Sequence, residues 1–124
     1  MDVKKYFGTD GIRGVFGEFL TLDLARSVAR AFAKLRPNAK IIIGRDTRES
    51  GAEIAKIFCD ELNAVDIGIA TTPMVSFLTK TQGFDFGIVI TASHNTHEYN
   101  GIKFFGSDGK KISDELEMEI EKLI

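Results

Sequence analysis

The sequence predicts an α/β protein, a three-layer α/β/α domain on a four-stranded mixed sheet whose last strand runs antiparallel. Three observations carry this. Short β-branched runs alternate with amphipathic stretches of helical length along residues 21–90, the pattern of β–α–β units feeding a parallel sheet. The first run, Ile41-Ile42-Ile43, is continuous rather than alternating, as suits a strand covered on both faces. Finally, residues 102–105 follow the strand at 86–90 with no helix between them. A parallel return needs a crossover of about a dozen residues or more, usually helical, so this strand is expected antiparallel to its predecessor.

The chain opens on residues 6–14, YFGTDGIRG, where Gly8, Gly11 and Gly14 rule out a regular helix and predict a tightly folded loop. Arg13 lies among backbone amides that the glycines leave uncovered, so the loop reads as a surface turn or as an anion site. Residues 21–35 form a helix, with Thr21 as cap and Asp23 in the first turn, where negative charge suits the dipole. Leu24, Val28 and Phe32 recur every four residues, flanked by Ala25, Ala29 and Leu35, and Arg36-Pro37-Asn38 stops the helix.

Residues 40–44, KIIIG, are a buried strand that feeds a polar loop at 45–51. A helix starts at Ser50 or Gly51 and runs to about Leu62, turning Ile54, Ile57, Phe58 and Leu62 inward. Cys59 sits beside that face without a basic neighbour to lower its pKa, which argues against a catalytic thiol. Residues 64–70 are the next strand; Thr72 as N-cap and Pro73 at the first helical position begin a short helix through Thr81. Gln82-Gly83 ends it, and residues 86–90 are the third strand. The fourth, at 102–105, is followed by a turn at 106–109 and a helix from Ser113, with Asp114 and Glu115 in its first turn. Its apolar stripe of Leu116, Ile120, Leu123 and Ile124 continues to the last residue without a C-cap, as expected of one domain of a longer protein.

The 124 residues are read as one domain, and 44% apolar content with ten Phe supports a substantial core. Basic residues are scattered among acids and the net charge is −2, which argues against a nucleic-acid surface. No apolar run approaches the roughly 20 residues of a membrane span. The first residues carry positive charge without a following apolar core, so they do not read as a signal peptide. The single cysteine, Cys59, forms no internal disulfide, and a reducing cytoplasm is the expected location.

Loops 45–50, 71–73 and 91–100 are predicted to gather at the carboxyl edge of the sheet, where ligands collect in open α/β folds, with residues 8–14 beside them. They offer Ser93, His94, Asn95, Lys103, Arg13, Arg45 and Arg48, with the acids Asp10, Asp46 and Glu98. Arginine forks and a lysine near a serine hydroxyl suit phosphate recognition better than acyl chemistry. A Ser-His-acid hydrolase is disfavoured, because Ser93 and His94 are adjacent, so their side chains diverge, and no G-x-S-x-G elbow surrounds the serine. A zinc site is disfavoured too, since His94 and His97 have no companions at ligand spacing. Plainer readings stand beside these. Spacing alone favours Lys103 as an exposed lysine on an edge strand; Arg45 and Arg48 also read as a salt-bridge network with Asp46 and Glu49, and both histidines as solvated loop residues.

FGTDGIRG at 7–14, GRDTR at 44–48, Thr72-Pro73, TASHN at 91–95 and NGIKFF at 100–105 occur in that order. Together they resemble the first domain of the α-D-phosphohexomutase family, and the opening motif and NGIKFF look most like its phosphoglucosamine mutase branch. The resemblance covers essentially the whole chain. It implies four domains around a cleft, the first an α/β/α domain with a mixed sheet. It implies that Ser93 carries a phosphoryl group, donates it to a hexose monophosphate, and takes back the other phosphate of the resulting hexose bisphosphate. It further implies Lys103 as general acid/base, Arg13 as charge stabiliser and His94 as part of the site; Asn95, Arg45 and Arg48 are expected to bind phosphate or substrate. Mg²⁺ would contact the phosphate on Ser93, its other ligands coming from an aspartate loop of the second domain. Positioned cations and metal supply most of the catalysis of phosphoryl transfer, which fits this residue set.

Two departures matter. Thr96 stands where the family usually has proline after TASHN, which is expected to loosen the loop. The metal loop of the second domain, the sugar-specificity loop of the third and the phosphate clamp of the fourth do not occur in this sequence. The 124-residue piece is therefore expected to be inactive alone and prone to self-association. The alternatives are a phosphoglucomutase or phosphomannomutase of the same family, and a non-catalytic sugar-phosphate-binding module, which would keep the arginines and glycines without needing Ser93.

Overall fold

Runs patterned for strands and stretches patterned for helices settle where the sequence places them, around a sheet wider than expected. The computed structural model describes residues 4–124; residues 1–3, part of the stretch read above as lacking a signal peptide, lie outside the described residues. The elements are β1 (Phe7–Gly8), β2 (Gly11–Val15), α1 (Leu22–Leu35), β3 (Ile41–Arg45), α2 (Gly51–Glu61), β4 (Ala64–Ile69), α3 (Thr72–Thr81), β5 (Phe86–Ile90), β6 (Tyr99–Gly106) and α4 (Asp114–Leu123). They build one sheet in the order β1-β2-β6-β5-β3-β4. β3 pairs in parallel with β4 and β5, and β6 runs antiparallel to β5, as the connection lengths require.

The sheet has six strands, not four. The opening glycine-rich segment, expected to be a loop, is the hairpin β1–β2, and β2 pairs antiparallel with β6. Glycine is poor in strands because it brings no side chain to pack. Here close packing overrides that preference: Gly11 takes φ 83, and a Cβ on it would stand 2.2 Å from the Ile102 carbonyl oxygen. A consequence is that β6 is interior, so Lys103 does not lie on an edge strand.

The larger core lies on the sheet face covered by α1, α2 and α4. There the Phe32 ring meets Phe86 edge-on at 4.9 Å and stacks on Phe104 at 5.1 Å. α3 covers the other face, its Val75 packing in one cluster with Ile42, Val89 and Phe105. The third helix starts one residue earlier than expected, because Thr71 rather than Thr72 caps it. Thr21 caps α1 as predicted, its Oγ1 accepting the Leu24 N–H at 3.0 Å. Thr21→Ala is expected to cost about 1 kcal/mol, read as a lower urea midpoint at unchanged slope. An unshifted midpoint would remove the cap from the account of this helix.

α4 ties down the start of the chain. The Glu121 carboxylate accepts the backbone N–H groups of Lys5, Tyr6 and Phe7, each at 2.7 Å. Lys4 pairs with Asp114 and with the buried Glu117, and its ammonium holds the Asp114 carboxyl below the usual range. Both sets of contacts fix β1, and through it β2, against the rest of the fold.

Candidate active site

β5 delivers the chain to the carboxyl edge of the sheet and then turns through residues 91–98 before β6 leaves. At the tip, Ser93 is exposed and has φ 54, making it the non-glycine residue with positive φ among those described. Such backbone is costly for an L-residue and clusters at functional positions. Its two peptide groups are both held. The Ser93 N–H donates to Thr91 Oγ1 at 3.0 Å, and its carbonyl accepts from the Arg48 guanidinium at 2.9 Å.

Arg48 organises the rest of the loop. It donates from Nε to Asp46 at 3.0 Å, and from its two terminal nitrogens to the carbonyls of Ser93, Asn95, Thr96 and Tyr99 at 2.6–3.1 Å. These five bonds use every guanidinium donor, and the side chain is only 8% exposed. The expected phosphate-binding role of Arg48 is therefore corrected: it has no N–H left for a ligand and instead shapes the serine loop. Its pairing with Asp46 is the plainer salt-bridge reading. The proline-to-threonine departure leaves this scaffold intact, since Arg48 takes the carbonyl of residue 96, which either residue supplies. The Thr96 hydroxyl also donates to Glu98 at 2.7 Å and holds that carboxyl below its ordinary pKa.

Arg13 reaches the serine from β2. One terminal nitrogen lies 3.5 Å from Ser93 Oγ, at the long limit of a hydrogen bond, and its Nε–H is buried with no partner. An unpaired buried charged donor is expensive, and beside an exposed hydroxyl a phosphate oxygen is a fitting acceptor. Arg13 pairs with Gly101 across β2–β6, so Lys103, two residues further along β6, shares its sheet face as a diagonal neighbour. Lys103 is half-buried and forms no hydrogen bond or ion pair among the described residues. Fold and register thus bring Ser93, Arg13 and Lys103 to one side of the sheet.

The other expected site residues sit less closely. His94 and Asn95 are exposed beside Ser93, with side chains free of hydrogen bonds among the described residues. Arg45 ends β3 and lays its side chain over Gly51 at the start of α2. Thr71 and Thr72 line a cleft of about 440 Å³ with Asp46 and Thr91, so all three expected loops do meet at this edge. His97 is fully solvated, 3.8 Å from Glu98. Burial pushes the Cys59 thiol up, consistent with an unreactive cysteine.

Sequence reasoning missed Thr91 and Asn100. Thr91 donates to Asp46 at 2.6 Å, and the fully buried Asn100 donates to Ser50 at 2.8 Å. Polar residues beside the ends of apolar strands were the available signal, but it does not say which of them turn inward. Among the described residues no group of three His, Cys, Asp or Glu is placed to hold a metal ion.

The family model described as phosphoglucomutase/phosphomannomutase, alpha/beta/alpha domain I, matches residues 4–124. Phosphoglucosamine mutase of Deinococcus deserti is 44% identical over 134 aligned positions covering all of this chain. That of Pediococcus pentosaceus is 48% identical over 132, covering 97% of the chain. The chain spans about 30% of the length of these curated relatives. Among solved structures, a candidate phosphomannomutase from Thermus thermophilus superimposes with a TM-score of 0.86 at 30% identity, over all of this chain and 30% of that one. A phosphoglucomutase/phosphomannomutase family protein from Burkholderia thailandensis gives 0.79 at 31% identity, over 98% of this chain and 30% of that one. With the glycine hairpin, the left-handed serine and the arginine beside it, these matches lead to one conclusion: the chain belongs to the phosphoglucomutase/phosphomannomutase family, as its alpha/beta/alpha domain I.

Proposed function

We propose that this chain is the phosphoserine-bearing domain of a cytoplasmic phosphohexomutase that interconverts hexose 6-phosphate and 1-phosphate, with glucosamine phosphate as substrate. The observation that carries the reading is Arg13, whose buried, partnerless Nε–H and 3.5 Å approach to Ser93 Oγ suit an anion on that oxygen. The hexose assignment rests on the names of the relatives at 44–48% identity.

In this reading phosphorylated Ser93 meets a sugar hydroxyl. The P–O bond to Ser93 breaks as a P–O bond to the sugar oxygen forms, and Lys103 relays the hydroxyl proton to the departing Ser93 Oγ. After the bisphosphate turns over, its other phosphoryl passes to Ser93 Oγ, and Lys103 relays the serine hydroxyl proton to the departing sugar oxygen. Arg13 neutralises charge on the phosphoryl oxygens in flight, the term that dominates such transfers. His94 and Asn95 border the phosphoryl group. Mg²⁺, when bound in the parent protein, supplies further charge neutralisation.

Mass spectrometry of the full-length protein after incubation with hexose bisphosphate tests this. One phosphate on Ser93 is the expected result. Tight sugar-phosphate binding without that phosphate would favour a non-catalytic binding module, for which Arg13 alone suffices. The residue 1–124 piece is expected to show no turnover in a coupled assay; near-parental rates from it would refute dependence on the remaining domains.

A further inference from the structure

We propose that Thr91, anchored by Asp46, is a positioning residue that fixes the left-handed backbone of Ser93 and thereby aims its hydroxyl at Arg13. The inference rests on the reading of Ser93 as the phosphoryl carrier. It goes beyond that reading by assigning work to residues that touch neither sugar nor phosphate.

Two hydrogen-bonded arms leave one carboxylate oxygen, Asp46 Oδ2. One runs through Thr91: Oγ1 donates to Oδ2 at 2.6 Å and accepts the Ser93 N–H at 3.0 Å. The other runs through Arg48: Nε donates to the same oxygen at 3.0 Å, and a terminal nitrogen donates to the Ser93 carbonyl at 2.9 Å. The peptide groups on both sides of the strained residue thus refer to a single atom. That atom is itself fixed to the sheet, because the Asp46 N–H donates to the Ile90 carbonyl at 3.1 Å. Thr91 is 5% exposed and its own N–H donates to the Gly101 carbonyl at 3.0 Å, so Thr91 itself is buried and tied to β6. An exposed loop residue has no packing of its own to hold φ 54; the arms supply it.

The expected consequence is on rate rather than affinity, since a misplacement of about 1 Å at a reacting group costs on the order of 10²-fold. Thr91→Val keeps the shape and deletes the hydroxyl; Thr91→Ser keeps the hydroxyl. In the full-length protein, Thr91→Val is expected to lower kcat by roughly 10²-fold with KM changed by less than about two-fold, and Thr91→Ser to recover most of the loss. Hydrogen exchange in the same proteins supplies a readout independent of catalysis. The Ser93 amide should exchange about ten-fold faster in Thr91→Val, with the amides of β5 unchanged. Wild-type exchange in Thr91→Val overturns the clamp. Faster exchange with kcat intact, or a KM effect alone, overturns the positioning role. If Thr91→Val fails to fold, Arg48→Lys, which keeps the charge and loses the fork, takes its place on the outer arm with the same readouts. Absence of phosphate on wild-type Ser93 would instead defeat the carrier reading, and the exchange data would still judge the clamp.

Discussion

Ser93→Ala in the full-length protein is expected to lower turnover by about 10⁴- to 10⁶-fold, the scale seen when a covalent carrier is removed. Phosphate incorporation from hexose bisphosphate should vanish with it. Folding should be nearly untouched. The side chain is exposed, and its one hydrogen bond among the described residues is the 3.5 Å approach of Arg13; surface changes of this kind stay within about 0.5 kcal/mol. Ser93→Gly sharpens the test. It should be equally inactive, yet more stable by about 0.5–1 kcal/mol, because glycine avoids the left-handed penalty and gives back part of that gain in unfolded-state entropy. A variant both dead and steadier separates chemistry from structure. A Ser93→Ala protein that still exchanges the 1- and 6-phosphates would end the phosphoserine assignment.

Gly11→Ala is the substitution expected to damage the fold most. At φ 83 any L side chain is strained, at about 1–2 kcal/mol. In addition, the new Cβ would stand 2.2 Å from the Ile102 carbonyl oxygen and 3.1 Å from Lys103 Cα. Those atoms are backbone in an interior strand, so relief requires opening the β2–β6 ladder. A total of about 3–5 kcal/mol follows, in the range reserved for overpacking combined with special backbone. Gly17 is the control: its φ is 90, but nothing lies within 4 Å of the Cβ position. Gly17→Ala should cost only about 1 kcal/mol. Urea unfolding compares the two, and equal midpoint shifts would show that the contact with Ile102 is not what demands glycine at position 11. Because β2 carries Arg13, the same lesion should also reduce phosphate transfer.

Much of this was legible in the sequence, for identifiable reasons. The stripe of Leu24, Val28 and Phe32 has the helical period, and all three turn toward the core. Ile41-Ile42-Ile43 has no polar alternation, and all three are buried between layers. The direction of the strand after residue 98 followed from a connection too short for a crossover. The hairpin at 7–15 was not legible, because its glycines look like loop residues until a partner strand comes within contact distance. Arg48 was placed at the right edge but given the wrong task. Sequence shows that a fork is present, not where its donors end up, and here four carbonyls of a neighbouring loop capture it.

By itself the sequence determined the layers, the directions of the strands it recognised and the motifs that identify the family. These depend on periodicity, chain length and local turn chemistry, all of which are written along the chain. The tertiary structure decided which polar groups stay unpaired and which hold the backbone. Arg13 keeps a buried N–H free beside Ser93, whereas Arg48 spends every donor on its neighbours. The reason is that a hydrogen bond between residues 45 positions apart depends on where two strands end in space. No local pattern encodes that distance; the packing of the sheet sets it.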